Sequence, residues 1–380
     1  METRKLYYED CQLQDFTANV VSCQETKQGW LVILDATAFY PEGGGQACDL
    51  GTLGDANVLD VQEQGEQVVH LCDKPLSGTV AGKINWDRRF DLMQQHSGEH
   101  ILSGLIHEKF GYHNVGFHIG AQVMEVDFDG PISWEELLEL EAKANAAVWK
   151  NLPIQCTFPA PEVLPTIAYR SKKALDWPVR IVQVPGYDTC ACCGVHVALT
   201  GQVGIIKVLS CVKFHQGVRI EMLCGNRAYR YLGQVFEQNR LVSQQFSAKP
   251  LETGAAAQRI NDQLAEEKFR ATGLQKKLFA ATADRYADRG NVVHFEEDLP
   301  AGSVRELADK IAAVCGGTAT VLSGTDDTGY NVCILGSAAK ELGAAMNQTL
   351  NSRGGGKPGT FQGSVKATKE QLLTFFQPHK

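Results

Sequence analysis

The sequence predicts an α+β protein assembled from several domains, on three observations. At 380 residues the chain exceeds what one ordinary hydrophobic core holds. Its first quarter is a series of short, partly alternating runs broken by Gly and Asp. Its middle holds a long stretch of helical period, after which strand-like and helix-like runs alternate. The expected layout is a small β-barrel over 1–87 and an α+β domain over 88–232. A helical linker or coiled coil follows over 233–290, then a small α/β domain over 291–380.

The barrel expectation rests on "ANVVSCQ", "GWLVILDAT", "QACDLGTLGD", "NVLDVQEQGEQVVHLC" and "GTVAGKINW". Over 88–111 the period changes: Phe90, Met93, Leu102, Leu105, Ile106 and Phe110 recur at helical spacings, and Gly111 is a stop. "HNVGFHIGAQVMEVDFDG" reads as a pair of hairpin strands. Over 133–151, Ser133 with Glu136 three positions on is a capping box. Strands and loops return from 152 to about 225.

Residues 234–289 read as mostly helical. Positions 260, 264, 267, 271, 274, 278 and 281 carry Ile, Leu, Glu, Ala, Leu, Leu and Ala, a heptad seam flawed by Glu267. Such a seam packs on its own chain or pairs two copies, so a homodimer through this helix or the C-terminal domain is one expectation. In the last block "NVVHF", "TATVLSG" and "YNVCILG" are buried strands, with helices near 302–314, 338–351 and 367–376. "NSRGGGKPGTFQGS" (351–364) is expected to interrupt regular structure.

Composition is globular, 44% hydrophobic and 21% charged. No apolar run approaches a membrane span, and "METRKLYYEDCQLQ" lacks the apolar stretch of a signal peptide, so a cytoplasmic protein without membrane contact is expected. The net charge of −8 argues against indiscriminate coating of nucleic acid, though local basic patches remain open. From residue 353 on, Arg353, Lys357, Lys366, Lys369 and Lys380 face only Glu370. The twelve cysteines are scattered, which suits buried reduced thiols rather than a disulfide scaffold. The 190–193 cluster is the exception.

"HSGEHILSG" places His96 and His100 one helical turn apart on a shared face. "GYDTCACCGVHVALTG" adds Cys192-x-x-x-His196 on a glycine-flanked loop. Thiolate and neutral imidazole suit Zn²⁺, and a helix pair with a loop pair can close a tetrahedron. On spacing alone Cys190-x-Cys192 and Cys193-x-x-His196 are alternatives. H-x-x-E-H is also the inverted zincin signature, in which Glu99 is the base and a later carboxylate, here Glu136, Glu139 or Glu141, is the third ligand. That peptidase reading leaves "CACCGVH" unexplained, and helical geometry puts Glu99 to one side of the histidine stripe, as an exposed helix carboxylate. His107 and His118 are expected to be packed or hydrogen-bonded, with His118 the better outside candidate because "GFHIG" has small neighbours.

Three motifs together resemble one family. "TAFYPEGGGQACDLGTL" (37–53) is similar to the T-x-F-Y-P-E-x-G-G-Q-x-x-D-x-G motif of alanyl-tRNA synthetase editing domains and of freestanding AlaX-type editing proteins. "HSGEHILSG" matches that family's H-x-x-x-H, and "CCGVHVALTGQVGIIKV" its C-G-G-T-H-V-x-x-T-G-x-I-G-x-F-K-I. "RGGGKPGTFQG" resembles the glycine-rich signature of the C-terminal RNA-binding domain in the same synthetases. The resemblance covers nearly the whole chain, as in the long AlaX form. Cys193 stands where the family has glycine and Val195 where it has threonine. The threonyl-tRNA synthetase editing domain shares the His and Cys/His pattern.

The resemblance implies a zinc-containing editing domain with ligands His96, His100, Cys192 and His196. It implies a stand-alone hydrolase that deacylates tRNA for alanine mischarged with serine, and with glycine as a further substrate. By motif match Thr37 and Gln46 lie on the serine side: Thr37 to bond the serine hydroxyl, Gln46 to orient the aminoacyl group or a water. Arg353, Gly354, Gly355, Gly356 and Lys357 are the implied RNA contacts. The readings it competes with are the H-x-x-E-H zinc metallopeptidase and a non-catalytic, zinc-stabilised tRNA-binding protein.

Overall fold

The computed structural model describes residues 2–171 and 178–377. The chain divides into two compact units, up to Leu241 and from Val242.

The first unit opens with β1 (Arg4–Lys5) and α1 (Leu6–Glu9). Then come β2 (Asp15–Thr26), β3 (Gly29–Leu34), β4 (Ala36–Thr37), β5 (Gly51–Leu53), β6 (Ala56–Gln64), β7 (Gln67–Cys72) and β8 (Thr79–Ile84). Six of these close into a barrel in the order β2-β3-β7-β6-β5-β8, and β1 pairs in parallel with β4. In β8 every second residue is buried, which sends Val80, Gly82 and Ile84 inward. Val32, Leu34, Phe39, Leu53, Val58 and Val61 fill the interior with them.

Next is α2 (Trp86–Phe110), capped by the Asn85 side chain and ended by Gly111 at φ +74°. It is followed by β9 (Asn114–Ile119), β10 (Met124–Phe128), α3 (Trp134–Trp149), β11 (Gln155–Thr157), β12 (Ile181–Val184), β13 (Asp188–Ala191), β14 (Ile206–Phe214), β15 (Gly217–Cys224) and α4 (Gly225–Gln245), whose last four residues belong to the second unit. The strands form two sheets, β14-β15-β10-β9 and β11-β12-β13. The Ser133–Glu136 capping box starts α3.

Helix α2 packs against α3, β9, β13 and β15, and it is buried without interruption from Leu92 to Ile106. Its polar residues survive burial because each has a partner. The Gln95 amide bridges Cys224, accepting from its N–H at 2.8 Å and donating to its carbonyl at 2.9 Å. Gln94 donates to the Gln202 carbonyl at 2.9 Å. Gly98 lets β15 approach: a Cβ there would lie 2.2 Å from Cys224 Sγ. The barrel is tied to α2 by a wholly buried ion pair, Arg89 with Asp49. Arg89 Nε donates to both Asp49 oxygens at 2.8 Å, and its Nη2 reaches the Ala38 carbonyl at 2.6 Å.

The second unit contains α5 (Thr253–Asp284), β16 (Gly290–Glu296), α6 (Ala301–Cys315), β17 (Gly316–Thr325), β18 (Gly329–Leu335), α7 (Ala339–Thr349), β19 (Arg353–Gly355), β20 (Thr360–Val365) and α8 (Lys369–Phe376). The sheet order is β16-β17-β18-β20-β19, parallel only between β16 and β17. Alternation along the strands feeds two cores. Val321, Cys333 and Leu335 join Phe279 of α5 and Ile311 of α6, while Leu322, Val332 and Ile334 join Met346 of α7 and Phe376 of α8.

One expectation is corrected here. The 351–364 stretch does not interrupt regular structure: it holds the edge strand β19 and most of β20. The glycines allow the two strands to meet, since a Cβ on Gly354 would lie 2.5 Å from the Gln362 carbonyl oxygen. Lys380 of the basic tail lies outside the described residues. Among the described residues no helix is long and apolar enough to cross a membrane.

Candidate functional site

Helix α2 and the loop after β13 bring His96, His100, Cys192 and His196 together, with one donor atom from each within 4.8 Å of all the others. The three histidines are buried, and their rings pack at centroid distances of 4.6 to 5.3 Å. Cys192 Sγ stands 3.4 Å from His96 Nε2. Of the three crowded cysteines, Cys192 joins all three histidines. Cys190 groups instead with His100 and Asp188, and Cys193 Sγ sits 3.9 Å from the Tyr40 hydroxyl.

Each histidine has Nδ1 engaged on the side away from that group. His96 Nδ1 meets Gln46 Oε1 at 2.8 Å, His100 Nδ1 meets Asp188 Oδ2 at 2.9 Å, and His196 Nδ1 meets Ser97 Oγ at 3.2 Å. Asp188 is itself clamped by Arg170, at 2.8 and 2.9 Å. His196 Nε2 is buried without a hydrogen-bond partner among the described residues. Three imidazoles held through Nδ1, with a thiol between them and an orphaned Nε2, are a donor set that could hold a metal ion.

Electrostatics agree. Burial opposes ionisation of the Cys192 thiol, but His96 and His100 beside it bring its pKa well below the ordinary range. Burial likewise opposes charging His100, and Asp188 overrides it upward. Burial and the neighbouring His96 keep His196 neutral.

The loop is pinned at several points. Arg180 Nη1 donates to the Cys192 and Gly194 carbonyls at 3.0 and 2.6 Å, and Val197 N–H donates to Ser97 Oγ at 3.1 Å. Gly194 has no substitute here, because a Cβ would lie 2.1 Å from His96 Cε1.

Gln46 reaches the cluster from the barrel motif. Thr37 is placed differently: it is fully buried, 2.9 Å from His70 Nε2, and accepts Phe39 N–H at 3.1 Å. His70 Nδ1 lies 3.1 Å from the Val32 carbonyl, and burial lowers the His70 pKa to about 4. His70 is therefore neutral with its proton on Nδ1, so the Thr37 hydroxyl donates to Nε2. Arg353, Gly354 and Gly355 form β19, and Gly356 and Lys357 follow it, all exposed in the second unit.

Glu99 is a correction. It is buried, not an exposed helix carboxylate, and its Oε1 accepts from Ser103 Oγ and Asn114 Nδ2, both at 2.5 Å. The carboxylates a peptidase would need are engaged elsewhere. Glu136 caps its own helix, Glu139 pairs with Lys109, and Glu141 pairs with Lys207. His107 Nδ1 is bonded to the Tyr112 carbonyl at 2.9 Å, and His118 is exposed on β9. Sequence reasoning missed Asp188, Arg170, Ser97 and the Arg89–Asp49 pair. The only local signals were the aspartates inside "GYDTC" and "GQACDLG".

The fold and the site define a relative of synthetase editing modules. Residues 2–88 match the family described as tRNA synthetases class II (A), and residues 179–221 match the threonyl and alanyl tRNA synthetase second additional domain. Over nearly its whole length the chain is similar to alanyl-tRNA editing proteins. It is 29% identical over 398 residues to an alanyl-tRNA editing protein of Xenopus laevis, covering 96% of this chain and 95% of that one. With an alanyl-tRNA editing protein of Mus musculus it shares 28% over 390 residues, covering 95% and 93%. With the alanine–tRNA ligase of Ignicoccus hospitalis it shares 35% over 263 residues, which is 65% of this chain but spans only 29% of the ligase.

Proposed function

We propose that this protein is a zinc-dependent trans-editing deacylase that hydrolyses the ester joining serine, and also glycine, to the tRNA for alanine. The observation that carries the reading is the buried His96–His100–Cys192–His196 cluster with its three occupied Nδ1 atoms, in a chain matched along its length by editing proteins. The donor set of three imidazoles and one thiolate fits zinc. Bound there, zinc supplies Lewis-acid polarisation of the acyl carbonyl or a water with its pKa lowered to roughly 7.

The protein's own residues do the rest. Gln46, Asp188 and Ser97 fix the ring orientations, and burial keeps bulk water from the acyl group. Discrimination against alanine needs a group that demands the serine hydroxyl, because a synthetase pocket sized for alanine rejects such an isostere poorly. Thr37 is assigned that role. With its own proton committed to His70, it offers the serine hydroxyl only an acceptor. Arg353, Lys357 and the Gly354–Gly356 backbone contact tRNA phosphate from the second unit. The Ile260, Leu264, Leu274 and Leu278 face of α5 is exposed at heptad spacing and is where a second copy packs to form a homodimer. A cytoplasmic location goes with this substrate.

Asp188→Asn tests the outer support. It keeps the shape and loses the charge that faces His100 and Arg170. Zinc affinity, read by competition with a chromophoric chelator, is expected to fall about 10–100-fold with the circular dichroism spectrum unchanged. Deacylation of seryl-, glycyl- and alanyl-tRNA for alanine tests the function itself.

A further inference from the structure

Gln46 has one end of its amide engaged and the other bare. Its Oε1 lies 2.8 Å from His96 Nδ1, while Nε2 is buried without a hydrogen-bond partner among the described residues. The residue as a whole is 1% exposed. Which end faces the ring follows from the site. An imidazole that lends Nε2 to a metal carries its proton on Nδ1, so the amide meets it with oxygen. The nitrogen, with two donors, is left over.

The backbone gives this side chain no slack. Gly43 and Gln46 exchange both N–H···O bonds at 3.0 Å around a turn with Gly44 and Gly45 at φ +59° and +81°. A buried primary amide with no acceptor is unfavourable, and native proteins keep such a donor chiefly where something else supplies the acceptor.

We infer that Gln46 Nε2 is the oxyanion donor of the deacylation, bonding the acyl oxygen of the aminoacyl ester. The inference rests on the deacylase reading and adds a group that acts on the reacting atoms. As the water oxygen bonds to the acyl carbon, the carbonyl π pair moves onto oxygen, and the Gln46 N–H meets the charge that forms there. The pair then returns, the bond to the ribose oxygen breaks, and that oxygen takes the proton the water gave up, leaving free amino acid and tRNA. A donor shielded from water and already oriented acts on this charge without reorganising. Through Oε1 the same residue holds the His96 ring, so one side chain fixes a metal ligand and the acyl oxygen relative to each other.

The test is Gln46→Glu, which keeps an acceptor for His96 Nδ1–H and has no N–H to donate. Zinc-loaded wild type and variant are compared on seryl-tRNA for alanine. The expected result is wild-type zinc content and KM with kcat lower by about 10²–10³. Gln46→Met, which also removes the His96 contact, is expected to lose zinc affinity as well. A Q46E kcat within about threefold of wild type overturns the donor assignment. So does loss of zinc in step with kcat, because the donor then has no role separable from ring support. Failure of the deacylase reading looks different: wild type itself releases no serine.

Discussion

Cys192→Ala is expected to give a folded protein that neither retains zinc nor releases serine from tRNA. Among the described residues Cys192 is the one thiol grouped with all three histidines, and their field holds its pKa down. Removing it leaves three imidazoles around a dication without the anionic donor. The loss of affinity should exceed the roughly 10–100-fold that an outer-shell change costs, and deacylation should fall to the uncatalysed rate. The fold should persist, because the α2 core of Leu92, Met93, Ile101, Leu102 and Ile106 does not depend on the thiol. Metal analysis after gel filtration reads the first effect and single-turnover deacylation the second. Cys190→Ser and Cys193→Ser are the controls, and both are expected to keep the metal. Retention of zinc by Cys192→Ala would reassign the ligand.

The largest stability effect is expected at Asp49. Its carboxylate and the Arg89 guanidinium are both wholly buried, and Arg89 also holds the Cys11 and Ala38 carbonyls, at 3.2 and 2.6 Å. Asp49→Ala leaves that cation buried without its anion, which costs about 3–5 kcal/mol. The urea midpoint should fall accordingly, with the slope unchanged. Arg89→Met combined with Asp49→Ala should recover part of the loss, since no unpaired charge remains. An Asp49→Ala cost under about 1 kcal/mol, the scale of an exposed pair, would show that the pair is not structural. The site is affected too: Arg89 lies on α2 seven residues before His96, and Asp49 lies three residues after Gln46. The pair sets the barrel motif against α2, which carries His96 and His100.

The grouping of His96, His100, Cys192 and His196 was legible because both halves are local spacings, H-x-x-x-H on a helix and C-x-x-x-H on a turn. The choice of Cys192 among three cysteines was not, and came first from family resemblance. Their supports lay out of reach because they join distant parts of the chain: His100 to Asp188, His196 to Ser97, His96 to Gln46. Glu99 was misread for a physical reason. Gln94, Gln95, Ser97, Glu99 and Ser103 make α2 look half-solvated, yet the helix is buried on every side over that stretch. Apart from the Ser103–Glu99 bond within the helix, these polar groups are satisfied by distant parts of the chain, which no periodicity reports. The glycine run at 354–356 misled in the other direction: it reads as a loop but is an edge strand that needs close backbone contact with β20. The capping box of α3 and the Gly111 stop of α2 came through because they are settled within a few residues.

The central claim is tested most directly by incubating the zinc-loaded protein with tRNA for alanine charged with serine or with alanine, and following release of each amino acid. The account predicts rapid release of serine while alanyl-tRNA decays at its uncatalysed rate. No serine release from zinc-loaded protein, or equal release of alanine, would contradict it.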